Sequence, residues 1–257
     1  MSILANRIFY INSENRLTGT SSNFTYEIDI PKDQKFDTCC VLAMTIPRSY
    51  YLIRAGQNTC VLTVDGSSYV ITITPGNYTA ITFQTVLLGI LNGFGIGTFS
   101  MSLSTITGKY TYTYTGSGVI LSFNFVAPSK LGNQMGFPEV GTFAFAGNTL
   151  VSQNVLDFIS TSTLFLHSDM VMDSTSVLQE VYADNSIPFS NLVYNCQNPN
   201  MYSKVMQNTQ SGVFNFSLSD EHDIEVNLNG QDICITLLLY KKENLTALFK
   251  AIFVKDA

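Results

Sequence analysis

Charged side chains are scarce in this sequence. They make up 12% of the 257 residues, whereas about 25% is typical of a soluble domain. A surface with so few charges is either covered by partners or made up of uncharged polar residues. Ser, Thr and Asn are indeed frequent in the predicted strands. The net charge is −6 and no basic stripe is present, which argues against a nucleic-acid-binding protein.

Long apolar runs are also missing. No run reaches the ~18 residues that a membrane-spanning helix needs. The first residues lack the apolar segment of a signal peptide, so we expect an intracellular protein.

Cysteine occurs five times, an odd number, and no pair has the CxxC spacing. We expect all five to be reduced, buried and small hydrophobic residues. Cys39 and Cys40 are adjacent in a predicted strand, so their side chains should point to opposite faces. The five are Cys39, Cys40, Cys60, Cys196 and Cys234.

Catalytic and metal-binding patterns are equally sparse. His167 and His222 are the only histidines, and neither has partners at zinc-site spacing. We expect His167 to point from a strand into packing or solvent. The acidic residues 220–223 with Glu225 fit either a calcium site or a solvated turn. The turn is favoured, because no Gly-spaced ligand loop is present.

Two further patterns also give no site. Asp169 and Asp173 lie four residues apart on a predicted extended segment, too far to act together. The Gly-rich stretch Gly89 to Gly97 lacks the Lys-Ser/Thr of a phosphate loop. The sequence therefore predicts no enzyme, no cofactor and no metal.

The clearest local structure runs from Thr59 to Asn92. Asp65-Gly66 separates two β-branched runs, which is a strong signal for a tight hairpin. Thr79 follows a Pro-Gly stop and is a suitable helix cap. The predicted apolar stripe of that helix is Ile81, Val86, Leu87, Ile90 and Leu91.

About ten strands are predicted, with turn signals at the spacing of a sandwich or barrel. The strongest hairpin is predicted at Asn229-Gly230, between 224–228 and 233–240. Residues 143–154 are predicted to be irregular, and residues 185–199 to form a loop around a short apolar run. We predict an all-β fold and a single domain over 1–257, with an N-terminal arm at 1–22.

Tyr110, Tyr112 and Tyr114 form a predicted aromatic ladder on one strand face. Such a ladder could bind sugars by stacking, but cross-strand packing is the commoner use.

The C-terminal segment 243–257 is predicted to be an amphipathic helix. Its stripe has spacing i, i+3, i+4, i+7, i+8. It could pack on its own sandwich, on a partner or on an internal membrane. We predict a partner contact, because the preceding strands already have inward-facing residues. The stripe consists of Leu245, Leu248, Phe249, Ile252 and Phe253.

Several short motifs occur in a characteristic order along the chain. They are Ile11-Asn12-Ser13 to Arg16 with 19–25, Ile73-Thr74-Pro75-Gly76-Asn77-Tyr78-Thr79 with its helix to Leu91-Asn92, Leu131 to Phe137, Leu164 to Val171, and Phe216-Ser217-Leu218 with the Asn-Gly turn and Ile235 to Leu239.

This ordered set resembles penton and minor capsid proteins of Polinton-like viruses, virophages and related large DNA viruses. The resemblance implies a single jelly roll, in which two four-stranded antiparallel sheets pack face to face. It also implies a structural capsid protein, either the fivefold-vertex (penton) protein or a neighbouring minor capsid protein.

The expected partners are further copies of the chain, as a homopentamer, and other capsid proteins. The expected location is the virion, after synthesis in the host cytoplasm. The alternative from another class is a carbohydrate-binding β-sandwich, such as a fibre or lectin-like module.

Overall fold

The computed structural model describes residues 6–31, 34–118, 120–158, 163–183, 190–207 and 212–242. The contacts divide the chain into two compact units. Unit 1 comprises Met1–Tyr50 and Thr161–Ala257, and unit 2 comprises Tyr51–Ser160. Unit 2 is therefore an insertion in chain order. The single domain predicted over 1–257 stays a prediction.

The described residues form seventeen strands, two α-helices and a 3₁₀ turn (Ser13–Asn15). In chain order the elements are β1 (Asn6–Asn12), β2 (Thr18–Gly19), β3 (Asn23–Glu27), β4 (Thr38–Pro47), β5 (Thr59–Val64), β6 (Ser67–Thr72), α1 (Ala80–Gly93), β7 (Thr98–Ser104), β8 (Lys109–Thr115), β9 (Leu121–Phe125), α2 (Leu131–Met135), β10 (Gly141–Ala144), β11 (Thr149–Val151), β12 (Thr163–Ser168), β13 (Val177–Tyr182), β14 (Asn191–Asn195), β15 (Lys204–Val205), β16 (Val213–Asp220) and β17 (Cys234–Tyr240).

Unit 1 is built from two antiparallel sheets. Sheet 1 has the order β1-β17-β4-β14, with the short β15 also paired to β4. Sheet 2 has the order β13-β12-β16-β3-β2. Among the eight longer strands, the chain changes sheet at every connection except that between β12 and β13. This order is that of an eight-stranded jelly roll, as the resemblance implied.

The core of unit 1 lies between the two sheets. Inward-facing side chains alternate with outward-facing ones along each strand, and Phe24 stacks on its cross-strand partner Phe216 at a centroid distance of 5.6 Å. Cys39 and Val41 belong to this core, whereas the equally buried Cys40 does not. Both faces of β4 are thus covered at this point, and the two adjacent cysteines point to opposite faces as predicted.

Unit 2 has two smaller antiparallel sheets, β10-β9-β5-β6 and β11-β8-β7. The hairpin predicted at Asp65-Gly66 is confirmed, because it joins β5 to β6 with φ angles of 47° and 83°. Helix α2 ends with Gly136 in the left-handed region.

Helix α1 begins where the sequence predicted. The Thr79 hydroxyl accepts from the Thr82 backbone N–H at 3.2 Å, and the Thr82 hydroxyl accepts from the Thr79 N–H at 2.9 Å. The predicted stripe is wrong at Ile81, which is 72% exposed. The buried face is instead Phe83, Leu87 and Leu91, spaced four residues apart.

The Asn229-Gly230 hairpin prediction is wrong, although the turn itself exists. Both residues have positive φ, and Gln231 N–H donates to the Leu228 carbonyl at 3.0 Å. The residues before the turn do not pair with β17, which lies between β1 and β4. The turn carries the chain towards the other sheet, and a local turn signal contains no information about sheet membership.

Two segments predicted as loops contain strands. β10 and β11 overlap residues 143–154, and β14 lies within 185–199. The predicted N-terminal arm contains β1, which is an edge strand of sheet 1. The predicted C-terminal helix 243–257 lies outside the described residues.

Candidate functional site

His167 is held in unit 1 by contacts on both ring nitrogens. Nε2 lies 2.8 Å from Ser219 Oγ, and Nδ1 lies 3.2 Å from the Thr175 carbonyl oxygen. Asp223 Oδ1 is 3.9 Å from Nε2, and its side chain is 88% exposed. Nδ1 therefore faces a backbone carbonyl, and the carboxylate that orients a catalytic histidine is not in that position. The surroundings fit the predicted packing role.

Asp220 is used within its own turn. Its Oδ1 accepts from the backbone N–H groups of His222 and Ile224, at 2.9 and 3.0 Å. Glu225 accepts from the Asn23 side-chain amide at 3.1 Å. Within the described ranges, no group of three or more His, Cys, Asp or Glu residues could hold a metal ion. The geometry matches the turn interpretation of this acidic segment.

Asp169 and Asp173 have separate partners. Asp169 Oδ1 accepts from the Asn215 backbone N–H at 2.9 Å, and Asp173 Oδ2 lies 3.8 Å from Lys204 Nζ. The backbone N–H of Thr175 lowers the pKa of Asp173, with a smaller contribution from Lys204. The two carboxylates thus serve different contacts.

The tyrosine ladder is buried. Tyr110, Tyr112 and Tyr114 are at most 1% exposed, and they face the core of unit 2. Each hydroxyl donates to a backbone carbonyl: Tyr110 to Ala80, Tyr112 to Met135 at 2.9 Å, and Tyr114 to Ile96 at 2.7 Å. The interpretation that these rings stack on sugars is therefore wrong, and the interpretation that they pack in the protein core is confirmed.

A surface that the sequence did not single out is the outward side of sheet 1. Cross-strand register places Ile8 opposite Leu238, and Leu238 opposite Cys40, all on the side away from the core. We call this the outer face of sheet 1. Its positions are Asn6, Ile8, Tyr10 and Asn12 on β1, Cys234, Thr236, Leu238 and Tyr240 on β17, Thr38, Cys40, Ala43 and Thr45 on β4, Asn191, Val193 and Asn195 on β14, and Val205 on β15.

No Asp, Glu, Lys or Arg occupies any of these outer-face positions. Several apolar members are strongly exposed: Tyr10 at 77%, Val193 at 63%, Val205 at 62% and Ile8 at 46%. Thr38 and Cys40 on β4 are already buried within the protomer, and the exposed remainder of the face has the chemistry of a contact surface.

The outward side of sheet 2 has a different composition. Its cross-strand pairs include Thr18 with Thr25, whose hydroxyl oxygens are 2.7 Å apart, and Ser217 with His167. Glu27 and Glu180 add carboxylates to the same side. The two outward sides therefore differ in charge: the side of sheet 2 carries carboxylates beside the exposed Tyr182, whereas the outer face of sheet 1 combines apolar side chains with Asn and Thr and carries no charge.

Alternation of Ile8 and Tyr10 with inward residues was visible in the sequence. The rest of the face was not, because it depends on which strands pair. The predicted partner-contact residues Leu245, Leu248, Phe249, Ile252 and Phe253 lie outside the described residues. No helix in the described part of the chain is long and apolar enough to span a membrane.

The chain has a likeness among solved structures. No family model matches the chain, and no curated protein matches it. A crystal structure of a selenomethionine-labelled mavirus penton protein aligns over 91% of this chain and 99% of that chain, with 12% identity and a TM-score of 0.42. Because the TM-score is below 0.5, the fold assignment rests on the strand order alone, and this likeness carries no argument about function.

Proposed function

We propose that this chain is a structural capsid protein that acts by assembly. The observation that carries the proposal is the uncharged outer face of sheet 1, which exposes Tyr10, Val193 and Val205. The buried centres of protein interfaces are depleted in charge and enriched in aromatic side chains. A jelly roll is one of the folds from which capsids are built, but fold alone does not assign function.

Assembly at a fivefold vertex needs one surface of each copy to contact a different surface of the next. Such heterologous contacts close into a ring when the rotation allows it. We propose the penton position, as a homopentamer in the virion, with other capsid proteins as neighbours. A minor capsid position is the alternative.

The C-terminal segment 243–257, called the tail below, is part of the same proposal. Its stripe Leu245, Leu248, Phe249, Ile252 and Phe253 is proposed to contact a partner subunit or the inner layer of the particle. An amphipathic helix of this length is marginal alone in water and needs a packing surface. Truncation after Lys242 should leave a soluble jelly roll with a near-normal melting temperature and should abolish assembly. Unfolding of the truncated protomer would show that the tail belongs to its own core.

The carbohydrate-binding alternative loses its main motif with the burial of Tyr110, Tyr112 and Tyr114. Sedimentation velocity of the purified chain, with a glycan array beside it, separates the two functions. We expect concentration-dependent self-association and no glycan signal. A monomer that binds a defined glycan would overturn the capsid proposal.

A further inference from the structure

A groove of about 330 Å³ lies at the end of the outer face of sheet 1. It is lined by Leu238 and Tyr240 of β17, by Asn200, and by Lys241 and Lys242. The groove thus lies where β17 ends, directly before the segment 243–257.

Tyr240, one of the residues that line the groove, ends in an unsatisfied polar atom. Within the described residues, the Tyr240 hydroxyl is buried and has no hydrogen-bond partner. A buried hydroxyl without a partner is costly, and most find one. Since this hydroxyl is itself buried, the part of Tyr240 that an occupant can contact is its half-buried ring, beside Leu238.

The path of the chain indicates which copy supplies the occupant. Asp37 N–H donates to the Tyr240 carbonyl at 3.3 Å, and Lys242 N–H donates to Asp37 Oδ1 at 2.8 Å. These bonds continue the β17 direction past the end of the strand. To cover its own outer face, the following segment would have to reverse this direction, whereas contact with a neighbouring copy needs no reversal.

We infer that the outer face of sheet 1 receives the apolar stripe of segment 243–257 from a second copy of this chain. The inference rests on the proposed assembly function and names the surface that assembly uses. A helix of fifteen residues would be about 22 Å long, and the seven residues of β17 span roughly 24 Å. The apolar stripe itself, from Leu245 to Phe253, would take up about 13 Å of that helix, so it fits within the length of the face and shares its lack of charge. The contact is heterologous, since tail and face are different surfaces.

The test uses full-length chains with one charge added to either surface. Tyr10→Glu places a carboxylate on the outer face, and Phe249→Glu places one on the tail stripe. Tyr182→Glu is the matched control for the first, because Tyr182 is 76% exposed against 77% for Tyr10 and also lies on an edge strand, in sheet 2. Lys250→Glu, off the stripe, is the control for the second.

Sedimentation velocity should show wild type and both controls associating alike. Tyr10→Glu and Phe249→Glu should each weaken association at least tenfold and leave the melting temperature unchanged. The decisive sample is a mixture of these two variants. Tyr10→Glu retains an intact tail and Phe249→Glu an intact face, so the mixture should form a one-to-one heterodimer that neither variant forms alone.

The outcomes separate this inference from the function it rests on. If wild type associates and Tyr10→Glu associates equally strongly, the outer-face contact is overturned and the capsid proposal still stands. A mixture without heterodimer would overturn the contact between copies. If wild type is monomeric, a synthetic 243–257 peptide is added to the Phe249→Glu chain. If the peptide binds, and adding Tyr10→Glu to the chain abolishes the binding, the outer face is supported as the tail's binding surface and the assembly function is contradicted. If the peptide does not bind, both the outer-face contact and the assembly function are contradicted.

Discussion

The Sγ atoms of Cys40 on β4 and Cys196 after β14 lie 3.9 Å apart. A disulfide needs about 2.05 Å, so these are two thiols in contact. Burial raises the pKa of Cys40 to about 12, and the neighbouring Cys196 adds to the shift. Because the thiolate is the reactive form, Cys40 is a poor nucleophile near neutral pH.

The five cysteines should all titrate as free thiols in denaturant without reductant. The predicted burial of all five is wrong for Cys234, which is exposed, and for Cys196, which is half-buried. In the native protomer at pH 8, Cys234 should therefore react first with a maleimide, and Cys39, Cys40 and Cys60 last. Mass spectrometry after timed alkylation gives the order, and a count below five thiols would contradict the free-thiol assignment.

Alkaline pH should destabilise unit 2 through Tyr110. Burial raises the pKa of Tyr110 from 10.0 to about 12, so the folded chain keeps this proton when the unfolded chain has released it. Stability therefore falls as pH rises from about 10 to 12. Urea unfolding at pH 8 and pH 11 should show a smaller fall in Tyr110→Phe than in wild type. Tyr10→Phe, at an exposed site, should follow wild type, and equal falls in all three chains would contradict the prediction.

Gly230→Val should destabilise unit 1 through backbone strain alone. Gly230 has φ +81°, and a Cβ placed there would meet no atom within 4 Å. The left-handed region costs other residues about 1–2 kcal/mol. Thermal unfolding should show a lower melting temperature for Gly230→Val and a smaller change for Gly230→Asn, because Asn tolerates this region. Equal melting temperatures for wild type and the valine variant would refute this account of the turn.

Two glycines of unit 2 should respond to alanine in opposite directions. A Cβ on Gly132 would lie 2.5 Å from the Pro138 carbonyl oxygen, whereas one on Gly89 in α1 would meet nothing. Gly132→Ala should lower the free energy of unfolding by about 1–3 kcal/mol because the backbone must move. Gly89→Ala should raise it by about 0.5–1 kcal/mol through helix propensity. Urea melts of both variants check the two signs, and a stabilising Gly132→Ala would be inconsistent with the packing of α2.

Local signals predicted local structure well in this chain. Asp65-Gly66 and Thr79 act within a few residues of themselves, so hairpin β5–β6 and the start of α1 follow from the sequence. The pairing of β17 with β1 and β4 joins residues at least 189 positions apart, and no local pattern specifies it. For the same reason Asn229-Gly230 was assigned to a hairpin that does not form.

The outer face of sheet 1 could likewise be predicted from the sequence only in part. Ile8 and Tyr10 could be recognised as one strand face, but Val193 and Val205 join that face only through their pairing with β4. The short β14 begins and ends with Asn, which is depleted in strands, so the central Leu-Val-Tyr run alone was too short to predict a strand.

Imaging of the purified full-length chain by electron microscopy tests the central claim most directly. The account predicts closed rings of five copies of the 28.4 kDa chain, which should be lost in Tyr10→Glu and Phe249→Glu and kept in Tyr182→Glu. Wild-type chain that stays as single protomers at every concentration, or that forms only two-fold symmetric dimers, would contradict it.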